Sequence, residues 1–200
     1  MNYKNSRDAA WQMLIKNKIS GLPISVEKIC RAEHIRLFTY REGEKLIRKL
    51  QLDDHTLGND AFSIGRIIFY DDTTPPTRKR FSVAHEIGHI VLHQPSGATV
   101  FNREISPNDD PRESEANIFA SRLLAPICVL HFLGVSSSEE ISELCNISPI
   151  AARIRYERLC ELRDRDQRMF QAKGYGCFLM SPLERTVYNN FKEYITKNKR

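Results

Sequence analysis

Apolar residues recur at helical spacing over residues 5–18, with Ala9, Ala10, Met13 and Leu14 on one face. Gly21-Leu22-Pro23 ends that segment, and Ser25 can cap a second helix through Val26, Ile29, Cys30 and Ala32. The pattern then changes. Ile35-Arg36-Leu37-Phe38-Thr39-Tyr40 reads as a strand, and residues 41–52 read as a helical or irregular excursion. Ala61 to Tyr70 reads as one or two strands with a turn near Gly65. Asp71-Asp72-Thr73-Thr74-Pro75-Pro76 is a loop feeding a helix-like run with Phe81, Val83, Ala84, Ile87, Ile90, Val91 and Leu92. A further helix is expected from Pro111, suited to a first turn, to the stop at Pro126. Its apolar face is Ala116, Phe119, Ala120, Leu123 and Leu124.

Beyond Pro126 the pattern is helical. Residues 140–145, a short turn, and residues 149–159 read as helix, turn, helix, with Ser148 as cap and Pro149 in the first helical position. Such a pair resembles a helix-turn-helix, with Arg153, Arg155 and Arg158 available for phosphates. An ordinary helical hairpin packed on the core accounts for the same pattern and is favoured. Residues 161–173 continue as a charged, exposed helix; residues 174–180 suit a short strand or docking segment; residues 184–200 suit an amphipathic helix with a basic tail. Strands before a central helix and helices after it give the α+β class. The expected division is a first domain over 1–127, a helical block over 128–173 and an extension over 174–200.

Composition narrows the class. Two hundred residues, 41% hydrophobic, suffice for one core or one core with a small appendage. No apolar run approaches the roughly 18 residues of a membrane span, and no secretory signal is visible. Five scattered cysteines without a C-x-x-C pair fit reduced thiols in a cytoplasm better than disulfides or a thiolate metal site. The net charge of +5 hides an acidic middle: residues 51–140 carry thirteen Asp/Glu against seven Lys/Arg, whereas both ends are basic. Basic ends suit nucleic acid or an acidic partner, but a solvated surface is the commoner meaning.

The chemistry lies in His85-Glu86-Ile87-Gly88-His89. On a helix, residues i and i+4 share a face, so His85 and His89 can direct two imidazole nitrogens at one Zn²⁺, with Glu86 placed to activate a water. The apolar flanks bury this helix, and buried polar groups need partners, which a metal supplies. Gly88 is a poor helix former, costing about 1 kcal/mol relative to Ala, which points to close approach of another backbone or of substrate. Catalytic zinc usually takes a third protein ligand. A histidine ten residues after the first is excluded, because position 95 is Pro95 and position 92 is Leu92. His93 lies one turn beyond His89 and suits packing or support better than ligation. Glu113 and Glu115 both flank the apolar face of the following helix, and spacing alone leaves the choice between them open.

The two blocks Arg80-Phe81-Ser82-Val83-Ala84-His85-Glu86-Ile87-Gly88-His89-Ile90-Val91-Leu92-His93 and Glu115-Ala116-Asn117-Ile118-Phe119-Ala120-Ser121-Arg122-Leu123-Leu124-Ala125-Pro126 resemble the ImmA/IrrE family of zinc metallopeptidases. That family shows R-F-T-x-A-H-E-L-G-H-x-x-x-H followed by E-A-N-x-F-A-x-x-L-L-M-P. The likeness covers about residues 20–160 and is strongest over 80–126; Ser82 and Ala125 depart mildly from it, and neither is a ligand. It implies a zincin-like domain with a small mixed sheet, Zn²⁺ as cofactor, and Glu115, the glutamate before Ala-Asn, as third ligand beside His85 and His89. It implies an intracellular endopeptidase with Glu86 as general base, whose substrate is a protein, often a helix-turn-helix repressor of mobile-element or stress genes. Manganese in place of zinc, the enzymatic half of a toxin system, and a non-catalytic DNA- or repressor-binding module on the same scaffold are the alternatives. An intact Glu86 argues against the last, since a pure scaffold needs no base. By analogy with metallopeptidases of this type, an edge strand pairs with extended substrate, and residues 66–70 are the candidate. His93 and Tyr70 are candidates to steady the oxyanion.

Overall fold

A computed structural model describes residues 3–50, 60–93, 110–173, 178 and 181–199. The chain forms two compact units, Met1–Ala9 with Ser25–Ala120, and Ala10–Ile24 with Ser121–Arg200. It is mostly helical with one small mixed sheet, the α+β class expected from the patterning.

The first unit carries the sheet. Helix α1 (Tyr3–Lys16) begins there, followed by α2 (Val26–Ala32), whose N-cap Ser25 accepts from the Lys28 amide. Strand β1 (Arg36–Thr39) runs into α3 (Tyr40–Lys49) through a capping box, in which Thr39 Oγ1 accepts from the Glu42 amide and Glu42 accepts from the Thr39 amide. Strands β2 (Ala61–Ile64) and β3 (Ile67–Tyr70) form a hairpin across Gly65, whose φ of +56° favours glycine. The sheet order is β1-β3-β2; β3 pairs parallel with β1 (Phe38 opposite Phe69) and antiparallel with β2 (Phe62 opposite Phe69). Residues 66–70 are therefore not an edge. β3 is the central strand, its ladder used on both sides, and among the described residues β1 and β2 are the outer strands. This corrects the assignment from sequence, which could not see the non-local pairing with β1.

Strand alternation divides the sheet's two faces. Phe38, Phe62 and Phe69 stack on one face, with Phe62 and Phe69 centroids 5.1 Å apart, and Ile47 of α3 closes the cluster. Ser63 and Ile68, opposite each other in register, alternate with these rings, and α4 (Pro76–His93) lies against β2 and β3. Helix α5 (Pro111–Leu124) completes the site-bearing elements.

Gly43 of α3 permits the aromatic cluster. A Cβ there would lie 2.4 and 2.5 Å from carbons of the fully buried Phe69 ring. Alanine gains about 1 kcal/mol in helix propensity, but overpacking a filled core costs about 1–3 kcal/mol. Gly43→Ala should therefore lower the denaturant midpoint, and a midpoint at or above the parent's would show that the ring yields at no cost.

The second unit holds the rest of α1 and helices α6 (Ile127–Leu133), α7 (Ser138–Cys145), α8 (Pro149–Lys173) and α9 (Pro182–Asn198). Gly134 at φ +81° ends α6, and Asn146 at φ +50° turns the chain between α7 and α8. Ser148 Oγ accepts from the Ala151 amide, the cap expected there. α9 packs on α6 and buries Val187, Phe191 and Ile195. Arg155 is not available for phosphates: it is 2% exposed, and its Nε donates to the Ala125 carbonyl at 3.1 Å. Its guanidinium thus satisfies a carbonyl just past the end of α5. Most of residues 174–180 lie outside the described residues; Phe178 stacks on His131, with centroids 3.5 Å apart.

Candidate metal centre

Helix α4 starts at Pro76, directly after Pro75, and over Val83–Ile90 every residue is buried. On it His85 and His89 are 6% and 7% exposed, and their Nε2 atoms lie 2.9 Å apart. Helix α5 begins where Asp110 Oδ1 accepts from the Arg112 amide at 2.8 Å, which satisfies a first-turn donor. The Arg112 side chain and amide together hold the Asp110 carboxyl below the usual carboxylate range. This start directs Glu113 at the histidines: Oε2 is 3.2 Å from His85 Nε2, and Oε1 is 3.1 Å from His89 Nε2. One ligand atom from each of His85, His89 and Glu113 lies within 4.8 Å of the other two.

Asn117, one turn on from Glu113, supports the set. Its Oδ1 is 2.9 Å from His85 Nδ1. An amide oxygen only accepts, so the proton belongs on Nδ1 and Nε2 presents a lone pair. Two imidazoles and a carboxylate converging in this way suit a divalent cation. Ligands about 2.0–2.1 Å from a tetrahedral zinc stand roughly 3.3 Å from one another. The two Nε2 atoms, 2.9 Å apart, and the two Glu113 oxygens, one 3.2 Å from His85 Nε2 and the other 3.1 Å from His89 Nε2, are spaced close to that.

The structure brings Glu113, not Glu115, to the histidines. Residues two apart on a helix point about 200° from each other, so when Glu113 and Asn117 face His85, Glu115 cannot. Glu115 Oε2 lies instead 3.6 Å from His93 Nε2. Burial holds the His93 imidazole below its ordinary range, with Glu115 acting in the opposite sense. Tyr70 lies under Lys79, whose Nζ is 5.8 Å from the ring centroid, and burial raises its phenol.

Gly88 has the meaning its helix position suggests. A Cβ there would meet Ala116 Cα at 3.2 Å, Ala116 O at 3.3 Å and a Phe119 ring carbon at 3.1 Å. Its hydrogen lets the backbone of α5 approach α4 closely enough for Glu113 to reach the histidines.

Glu86 is 4% exposed, and Ser63 Oγ donates to its Oε2 at 2.7 Å. Sequence reasoning overlooked both Ser63 and Asn117. Each had a signal: a serine at an inward position of an otherwise apolar strand, and an amide one helical turn from a candidate ligand.

No curated protein matches the chain significantly. The family model described as IrrE N-terminal-like domain matches residues 30–157, a span that contains all of these site residues. The chain therefore belongs to the ImmA/IrrE family of metallopeptidase-like proteins.

Proposed function

We propose that this protein is a zinc-dependent endopeptidase acting on a protein substrate. The convergence of His85, His89 and Glu113, with Glu86 adjacent in sequence to the first of them, carries this reading. His85, His89 and Glu113 would hold the ion. When bound, zinc polarises a carbonyl and lowers the pKa of water. The chain's own chemistry rests on Glu86, which accepts a proton from the attacking water and delivers it to the leaving amine. Asn117 fixes the His85 tautomer. Extended substrate is best placed beside β2, an outer strand among the described residues and the one carrying Ser63, where main-chain pairing would align a peptide with Glu86.

The family supports a helix-turn-helix repressor as the substrate class, cut so that mobile-element or stress genes are released. The cytoplasm is the proposed compartment; among the described residues Cys30, Cys128, Cys145 and Cys160 are free thiols, which supports it. Among the described residues one segment, Pro111–Leu133, is apolar enough to cross a membrane by length and composition, but 67% of its apolar window is buried in the fold and it includes Glu113.

The test joins metal to cleavage. The purified chain should hold one zinc per molecule by elemental analysis, and His85→Ala/His89→Ala should hold none. The zinc-loaded parent should cut a repressor encoded beside it, seen as two fragments by mass spectrometry. Stoichiometric zinc in the double variant removes the metal assignment, and an intact repressor removes that substrate.

A further inference from the structure

β2 presents Ala61 and Ser63 to one face and Phe62 and Ile64 to the other, by strand alternation. Phe62 belongs to the aromatic cluster with Phe69 and Ile47. Ser63 sits 5% exposed, opposite the fully buried Ile68. A hydroxyl at such a position is costly unless it is hydrogen-bonded, and a buried carboxylate is costlier still. Ser63 and Glu86, 23 residues apart, satisfy each other at 2.7 Å. The serine O–H donates and the carboxyl oxygen accepts.

We propose that Ser63 is a positioning residue for the general base: its hydroxyl commits Glu86 Oε2 and so orients Oε1 for proton transfer. The inference rests on the endopeptidase reading above and adds a residue to it. A carboxylate on a free rotor samples many orientations, whereas a base must hold its reactive oxygen within hydrogen-bond reach of the water. The anchor is on a strand, a rigid element, and not on the helix that carries the base, so the β2–α4 packing sets the orientation. Because β2 is also an outer strand of the sheet among the described residues, one strand would both align a peptide and aim the base that cuts it.

Three variants of the full chain test this. Ser63→Ala removes the hydroxyl. Ser63→Thr keeps it on a side chain suited to strands, and Ser63→Val has the shape of threonine without the hydroxyl. Each is zinc-loaded, and kcat and KM are measured on the repressor. Acetohydroxamate is titrated by calorimetry as a zinc-directed probe that also hydrogen-bonds to the base. Ser63→Ala and Ser63→Val should retain one zinc per chain, lose roughly 10-fold in kcat with KM within about 2-fold, and bind acetohydroxamate roughly 3- to 10-fold more weakly. Ser63→Thr should stay near the parent in all three. Equal behaviour of the Thr and Val variants, or a Ser63→Ala protein matching the parent, overturns the inference while leaving the peptidase reading intact; the Thr/Val pair decides if Ser63→Ala does not fold. A parent that binds no zinc or cuts nothing overturns the peptidase reading, and the role of Ser63 with it.

Discussion

Glu86→Gln is expected to bind zinc as the parent does, to melt at nearly the same temperature, and to cut substrate at least ~10²-fold more slowly. The expectation follows from what the amide keeps and loses. Glutamine preserves the volume of a side chain that is 4% exposed, so the core around α4 is undisturbed. It can still accept the Ser63 hydroxyl through its amide oxygen. It cannot take up a proton at neutral pH. Glu86 is not one of the three converging metal-binding groups, so metal content should not change. Measured side by side, retained zinc with lost cleavage assigns Glu86 to the chemistry. Parental cleavage by the Gln variant would move the base elsewhere. Loss of zinc along with activity would make Glu86 part of the metal-binding structure instead.

What could be read in the sequence was what depends on neighbours a few residues apart. His85 and His89 meet because helical residues four apart share a face, and their Nε2 atoms do converge. The Ser25 cap, the Gly65 turn and the Pro111 start are likewise local, and each stands where its residue type suggested. Gly88 was legible as a close approach but not as the approach of Ala116, since its partner comes from the next helix. The failures were all long-range. β3 read as an edge strand because nothing in residues 66–70 records their parallel pairing with residues 36–39. Arg155 was grouped with Arg153 and Arg158 as available for phosphates under the disfavoured helix-turn-helix alternative, because a charged residue on a helix is usually exposed; its carbonyl partner lies 30 residues away. Ser63 and Asn117 carried only a weak local signal, and their roles could not be read because their partners are 23 and 32 residues distant. The third ligand fell between these cases. The helix and its acidic residues were legible, but which of two glutamates faces α4 depends on helix phase at a contact between elements.

That phase makes the second large effect specific to one residue. Glu113→Ala should weaken zinc binding by more than ~10²-fold, whereas Glu115→Ala should weaken it by no more than ~10-fold, the low end of the scale of a supporting contact. Glu113 places one carboxylate oxygen 3.2 Å from His85 Nε2 and the other 3.1 Å from His89 Nε2. Removing it leaves two imidazoles, one ligand short of the usual catalytic set. Glu115 meets His93, at 3.6 Å, and is not one of the three converging groups, so its loss should be felt at the end of α4. Asn117→Ala should fall between the two, about 10- to 100-fold, because it frees the His85 tautomer without removing a ligand. Competition titrations against a chelator of known affinity rank all three. The order Glu113, Asn117, Glu115 is the one the geometry requires. The reverse order at the two glutamates would mean that α5 rotates when it takes up the ion. Equal small losses at both would mean that the third ligand comes from another part of the chain.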